Sequence, residues 1–291
     1  MSEARTAMGV ERLALGFFLA FTLFAILGYC NFGLNPERLP ATDWAVGIYQ
    51  ISFPWFARAH ILISGAVLLF VMTRHSGLRW VPALLAVYGL SFTAEHVGTG
   101  YGIPFSGYEY TGLLGARLGG RVPLVIPLSW FLMSAPAWVL ARQTFPDRNQ
   151  ALPRILQATF LLVLWDLALD PAMSFLTPYW LWETSGSFYG MPWVNLVGWA
   201  ATGLVLMAAL EWLDRRLDWA GTLPWRWALA YYVVVLLMPL GMITVAGLWW
   251  ATAATLAALT VAWGVHQLFG PSERSQESSS TLTPSLAEGR S

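Results

Sequence analysis

The sequence sets acidic side chains inside apolar runs. Asp166 and Asp170 stand four apart in a segment of Leu, Val, Trp and Ala. On a helix that spacing puts both carboxyl groups on one face. Glu95 and His96 close an earlier apolar run, and Asn195 lies near the start of a later one. Arg58 and His60 open another, and Glu183 lies in the connection between two of them. Ionisable groups inside a membrane are costly, so each is a candidate functional residue. In a chain with no lysine and one cysteine, such carboxyl groups suit proton transfer. A carboxyl group removed from water beside a second one favours its protonated form. One member of the set then donates a proton while its partner stays ionised, as base or as a stabiliser of positive charge. Trp165, Trp180, Trp182, Tyr189, Trp193 and Trp199 gather around the acidic segment. Aromatic faces attract cations through their quadrupole. An acid beside aromatic walls in a lipid-facing protein suits protonation of an alkene.

The elements that position these groups follow from composition. The chain has 291 residues, 57% hydrophobic and 11% charged, with mean hydropathy +0.56 and no net charge. An ordinary soluble domain carries about a quarter charged residues. This balance excludes a soluble globular enzyme and a disordered chain. Zero net charge without a basic stripe argues against a nucleic-acid partner. The single Cys30 rules out an internal disulfide and a cysteine-based metal site, and no metal or other cofactor is implied. The expected fold is all-α, a polytopic transmembrane helical bundle.

A bilayer core needs about 20 mostly apolar residues per helix. On that scale the expected spans are 13–30, 57–73, 79–96, 123–141, 153–172, 192–212, 226–244 and 247–267. The last two are nearly continuous; Pro239, Gly241 and Gly247 suggest a tight turn, and a seven-span reading is the alternative. Residues 13–30 read as the first span rather than as a cleavable leader. Residues 1–269 form one expected transmembrane domain, and 270–291, rich in Ser, Glu, Thr and Pro, an expected disordered cytoplasmic tail.

Arginine sets the orientation, because cytoplasmic loops retain positive charge. One set of connections and termini holds twelve arginines; the other holds only Arg38, Arg58, Arg117 and Arg121. Both termini are therefore expected inside, in the inner (plasma) membrane, which requires an even number of spans. The long connections 31–56, 97–122 and 174–191 fall on the arginine-poor side. They are rich in Gly, Pro and aromatics, which suits chain folded back into a cavity rather than standing in water. Gly102-Ile-Pro104-Phe105 recurs there as Gly190-Met-Pro192-Trp193. No longer repeat accompanies it, so coincidence is the favoured reading. His60 and His266 read as interfacial histidines.

Four motifs in order carry a resemblance over roughly residues 90–200. Glu95-His96-Val-Gly98-Thr-Gly100-Tyr-Gly102-Ile-Pro104-Phe105-Ser106-Gly107-Tyr108-Glu-Tyr110-Thr111 and Val122-Pro123-Leu-Val-Ile-Pro127-Leu-Ser-Trp130 are the first two. Asp166-Leu-Ala-Leu-Asp170-Pro171 with Trp180-Leu-Trp182, and Gly190-Met-Pro192-Trp-Val-Asn195-Leu-Val-Gly198-Trp199, are the others. Together they resemble the integral-membrane carotenoid biosynthesis family, which includes carotenoid 1,2-hydratases of the lycopene and γ-carotene type and bisanhydrobacterioruberin hydratases. Ser106 departs from the pattern, where Gly is expected after Phe105. The resemblance implies cofactor-independent addition of water to the terminal isopropylidene double bond of an acyclic carotenoid end group. Expected catalytic residues are Asp166 or Asp170 as acid, with Glu95 or Asn195 orienting water. His96, Tyr108, Tyr110, Trp165, Trp182 and Trp199 are the expected substrate contacts. An acyclic or monocyclic carotenoid, water and lipid are the implied partners, with other carotenoid biosynthesis enzymes as neighbours.

The nearest alternative is a membrane carotenoid cyclase, which forms the same cation and captures it with an internal alkene. An intramembrane polyprenyl transferase would need two Asp-rich motifs and basic residues for a diphosphate, and only one acidic pair is present. A non-enzymatic carotenoid or haem carrier is the remaining alternative. A haem would need His60 and His96 to face each other across a pocket.

Overall fold

The computed structural model describes residues 2–271, with side chains from residue 9. Most of the tail expected to be disordered therefore lies outside the described residues. Among them the chain forms eight α-helices: α1 (Ser2–Gly28), α2 (Asp43–Ser76), α3 (Val81–Tyr101), α4 (Val125–Thr144), α5 (Ala151–Asp170), α6 (Trp193–Leu217), α7 (Trp225–Val245) and α8 (Trp249–Phe269). π-Helical turns extend α1 through Tyr29–Gly33 and α5 through Pro171–Leu176. Six helical segments are long and apolar enough to cross a membrane: Gly9–Gly33, Asp43–Ser76, Val125–Thr144, Ala151–Leu176, Trp193–Leu217 and Trp225–Val245. The other two, α3 and α8, have 21 residues each. At about 1.5 Å per residue they match a hydrocarbon core of about 30 Å in length. Glu95, His96 and several Thr and Gly residues lower the hydropathy of α3.

Two boundaries differ from the expected ones. α2 begins at Asp43 and runs through Pro54, where a long connection was expected. Trp44, Ile48, Ile51 and Trp55 are exposed along it. Their spacing is that of one helical stripe, which faces lipid. Proline is tolerated in such a helix because neighbouring groups satisfy the freed carbonyl. Likewise Pro239 and Gly241 lie inside α7, and the turn to α8 sits at Ala246–Leu248, with Gly247 at φ +75°. Gly241 instead lets α1 approach: a Cβ there would meet Ile26 Cδ1 at 2.6 Å.

α4 lies at the centre, packed against α2, α3, α5 and α7. One continuous cluster of buried side chains runs from Phe18 to Ala262. The two ends of the bundle differ in chemistry. The start of α1, the ends of α2, α4 and α6 and the start of α5 carry ion pairs. Glu11 pairs with Arg74 at 3.3 Å, Arg142 with Asp214 at 2.6 Å and Arg154 with Glu211 at 2.9 Å. The other end is built from the Gly, Pro and aromatic connections.

Four short strands tie those connections together: β1 (Tyr108–Tyr110), β2 (Arg117–Leu118), β3 (Val122–Pro123) and β4 (Trp180–Trp182). β1 pairs antiparallel with β4, and β2 with β3. Between α3 and β1 the chain turns sharply. Gly102 takes φ +71° and Ser106 φ +86°, with Ser106 N donating to Gly102 O at 2.9 Å. This is the position where glycine was expected. A side chain there costs about 1 kcal/mol that glycine avoids. Ser106→Gly should therefore raise stability by about 1 kcal/mol, read as a higher Tm of the purified protein in detergent.

Candidate active site

Strand alternation builds one wall of the site. In the β1–β4 pair Tyr108 faces Trp182 and Tyr110 faces Trp180, while Glu109 faces Leu181. Side chains two apart share a face, so both tyrosines and both tryptophans turn inward and Glu109 and Leu181 turn out. The Tyr108 and Trp182 rings lie 5.1 Å apart. Arg58 on α2 braces the neighbouring loop, donating from Nε to Leu113 O at 2.8 Å.

These rings form one side of a cavity lined from α2 to α7. It holds the three carboxyl groups that the sequence singled out. Glu95 on α3 is buried and saturated by donors. Its Oε2 accepts from the Tyr108 and Tyr110 hydroxyls, the latter at 2.6 Å, and its Oε1 accepts from Trp130 Nε1 at 2.8 Å. Three donors and no acceptor around one carboxyl group suit its ionised form. Burial, and then the Glu95 charge, holds both phenols well above their ordinary range, so they remain donors.

Asp166 and Asp170 share the inward face of α5, as their spacing requires. Asn195, in the first turn of α6, bridges them: its Nδ2 donates to Asp166 Oδ2 at 3.0 Å and to Asp170 Oδ2 at 2.7 Å. Asp170 Oδ1 also accepts from Ser174 at 2.8 Å, Trp180 Nε1 at 3.3 Å and Trp182 Nε1 at 3.2 Å. Asp166 differs. Its Oδ1 is buried with no hydrogen-bond partner. So one carboxyl oxygen in the set, on a residue that lines the cavity, is left without a protein donor.

Aromatic rings line the same cavity. Trp199, one turn after Asn195, stacks on Trp130 with centroids 4.0 Å apart, and Trp165 meets Trp199 edge-on at 5.8 Å. Glycine makes this packing possible. Phe105 sits between α3 and α6, where a Cβ on Gly98 or Gly198 would meet its ring at 2.8 or 2.6 Å. In the similar segment Gly190–Trp193, Trp193 is exposed rather than buried, so the two short patterns serve different ends.

The structure brings together Glu95, Asp166, Asp170, Asn195, Tyr108, Tyr110, Trp165, Trp182 and Trp199 around the cavity. His96, an expected substrate contact, is not among the lining residues. It packs on Phe92 at 5.5 Å and beside Gly119. Adjacent residues on a helix point about 100° apart, so a helix that turns Glu95 inward turns His96 away. This also separates His96 from His60, so the facing histidine pair that a haem would need is not assembled. Three further site residues were not among the expected catalytic residues or substrate contacts. Trp130 and Trp180 donate to the carboxylates, and His60 lines the cavity with Nε2 buried and unpartnered. Strand alternation from Trp182 points to Trp180, and the ionisable ring of His60 inside an apolar run marked it as a candidate; nothing in the sequence set Trp130 apart from packing residues.

The pattern that defines the carotenoid biosynthesis protein family matches residues 56–262. That segment takes in every site residue named here. A bisanhydrobacterioruberin hydratase of Haloarcula japonica is 29% identical over 195 residues, covering 67% of this chain and 64% of that protein. The match thus spans under two thirds of the relative's length. No solved structure matches the chain.

Proposed function

The chain belongs to the carotenoid biosynthesis protein family, and on that premise we propose that it is a carotenoid hydratase. It adds water across the terminal isopropylidene double bond of an acyclic end group and leaves a tertiary alcohol. The observation that carries this reading is the unpartnered Asp166 Oδ1 inside an aromatic cavity. A protonated carboxyl oxygen there has nothing to donate to except the ligand. The relative's name supports a carotenoid as substrate and water as the second reactant.

The residues divide the work. Asp166 gives its proton to the less substituted alkene carbon, and the π pair forms the new C–H bond. Positive charge develops on the dimethyl carbon. The faces of Trp130, Trp165 and Trp199 and the charges on Glu95 and Asp170 stabilise it, worth most in a site that excludes bulk water. Asn195 holds the two aspartates in register. Water then forms the C–O bond, and its lost proton restores Asp166. The steps need no cofactor. The arginine-rich ends of the helices, tied by the ion pairs described above, support cytoplasmic termini in the plasma membrane. The cavity then lies in the outer half of the bilayer, among the other enzymes that make and use carotenoids.

The test is expression in bacteria that accumulate lycopene or a longer acyclic carotenoid, with pigments resolved by chromatography and mass spectrometry. A product heavier by one water with an unchanged chromophore is expected. A product of unchanged mass with a shifted spectrum would make the protein a cyclase instead.

A further inference from the structure

The hydratase reading leaves one reactant unplaced. The attacking water needs its own contacts, and the Glu95 oxygens and the Asn195 amide nitrogen, expected to supply them, are already engaged. Glu95 is filled by three donors, and the Asn195 amide hydrogens go to Asp166 and Asp170. Two other buried polar atoms on the cavity wall have no partner: His60 Nε2 and Trp165 Nε1. Resting on the hydratase reading, we infer that His60 and Trp165 hold the attacking water, with His60 Nε2 as the acceptor of its proton.

The chemistry of the two atoms is complementary. An indole N–H only donates. A neutral imidazole with its proton on Nδ1 offers Nε2 as an acceptor. One water accepts from Trp165, donates to His60, and keeps a lone pair free for carbon. It also removes the cost of two buried polar atoms left unpaired. His60 is held for this task. The Phe18 ring of α1 lies 4.9 Å from it, and one turn on Tyr231 of α7 donates to Ser64 O at 3.1 Å, pinning α2. Trp165 directly precedes Asp166 on α5, so the water contact and the proton donor sit on one turn of helix.

The step balances. Asp166 loses a proton to carbon and becomes a carboxylate. The water oxygen forms its bond to the cationic carbon while one of its protons passes to His60 Nε2. The imidazolium returns that proton to Asp166 through a second water, and both residues are reset.

The experiment uses the full chain in lipid nanodiscs, in D2O, with an acyclic carotenoid. Two signals are read: hydrated product, and deuterium at the protonated carbon of recovered substrate. A cation that finds no water loses a proton and returns as labelled alkene. His60→Phe should lower hydration at least tenfold while deuterium exchange continues at or above the wild-type level. His60→Gln, which keeps a carbonyl acceptor, should recover part of the hydration. Trp165→Phe should lower hydration with exchange retained, and carries the test alone if His60→Phe does not fold. Unchanged hydration in His60→Phe would overturn the inference. So would a joint loss of hydration and exchange, which would make His60 a support for the proton donor. A wild-type protein with neither signal would overturn the hydratase reading itself.

Discussion

Asp166→Asn should abolish hydration, lowering turnover by about 10³-fold, and leave the fold intact. The asparagine Oδ1 still accepts from Asn195, as Asp166 Oδ2 does now at 3.0 Å. Its amide nitrogen then takes the place of the one carboxyl oxygen that has no partner. No existing hydrogen bond is reversed, so stability should change little. What disappears is the acidic proton assigned to the alkene. Deuterium exchange into recovered substrate should vanish with hydration, because protonation comes first. Asp170→Asn gives the contrasting result. Asp170 accepts from Ser174, Trp180, Trp182 and Asn195. Whichever way an amide is turned, its nitrogen meets at least one donor. An unsatisfied buried polar group costs about 1–3 kcal/mol. That variant should lose stability as well as activity, seen as a lower Tm. Retention of full hydration in Asp166→Asn would move the acid role elsewhere.

How far the site could be read from the sequence varies with the physics behind each element. The acidic pair was legible because i, i+4 spacing fixes a shared face in any helix. The aromatic connections 97–122 and 174–191 were legible as chain folded inward, because so little charge left them no reason to face water; 31–56, read the same way, is mostly the start of α2 with an exposed apolar stripe. Their strand pairing was not: Tyr108 and Trp182 are brought together by backbone hydrogen bonds across more than seventy residues, and three-residue strands carry almost no periodic signal. The start of α2 was hidden by Pro54, which reads as a breaker although a membrane helix absorbs it. Glu95 and His96 show the opposite failure. Adjacent in sequence, they looked like one functional unit, and helical rotation sends them to different surroundings. Single residues such as His60 and Trp130 gain their meaning only from what stands across the cavity, and that information is wholly tertiary.

Glu95→Gln should lower hydration by about 10²-fold or more without removing any proton donor. In its ionised form the Glu95 carboxyl group, to which two phenols and an indole donate, sets a negative charge beside the aromatic wall. A cation formed by Asp166 is stabilised by that charge only while it exists, and not in the neutral substrate. Stabilisation confined to the transition state appears in kcat more than in KM. Glutamine keeps the shape of the side chain but offers one acceptor oxygen to three donors. Its nitrogen must then face either the Trp130 indole or the tyrosine hydroxyls. A phenol can rotate its proton and accept from the new amide, which an indole cannot do. The favoured variant therefore points its oxygen at Trp130 and its amide nitrogen at the tyrosines, which exchange charge-assisted bonds for weaker neutral ones and hold β1 against β4 less firmly. Glu95→Gln combined with Trp130→Phe removes the indole donor and tests this arrangement. The double variant should recover stability relative to Glu95→Gln alone, by Tm, while hydration stays low. Recovery of activity together with stability would show that Glu95 only braces the wall; a loss larger than that of Trp130→Phe alone would assign its charge to the cation.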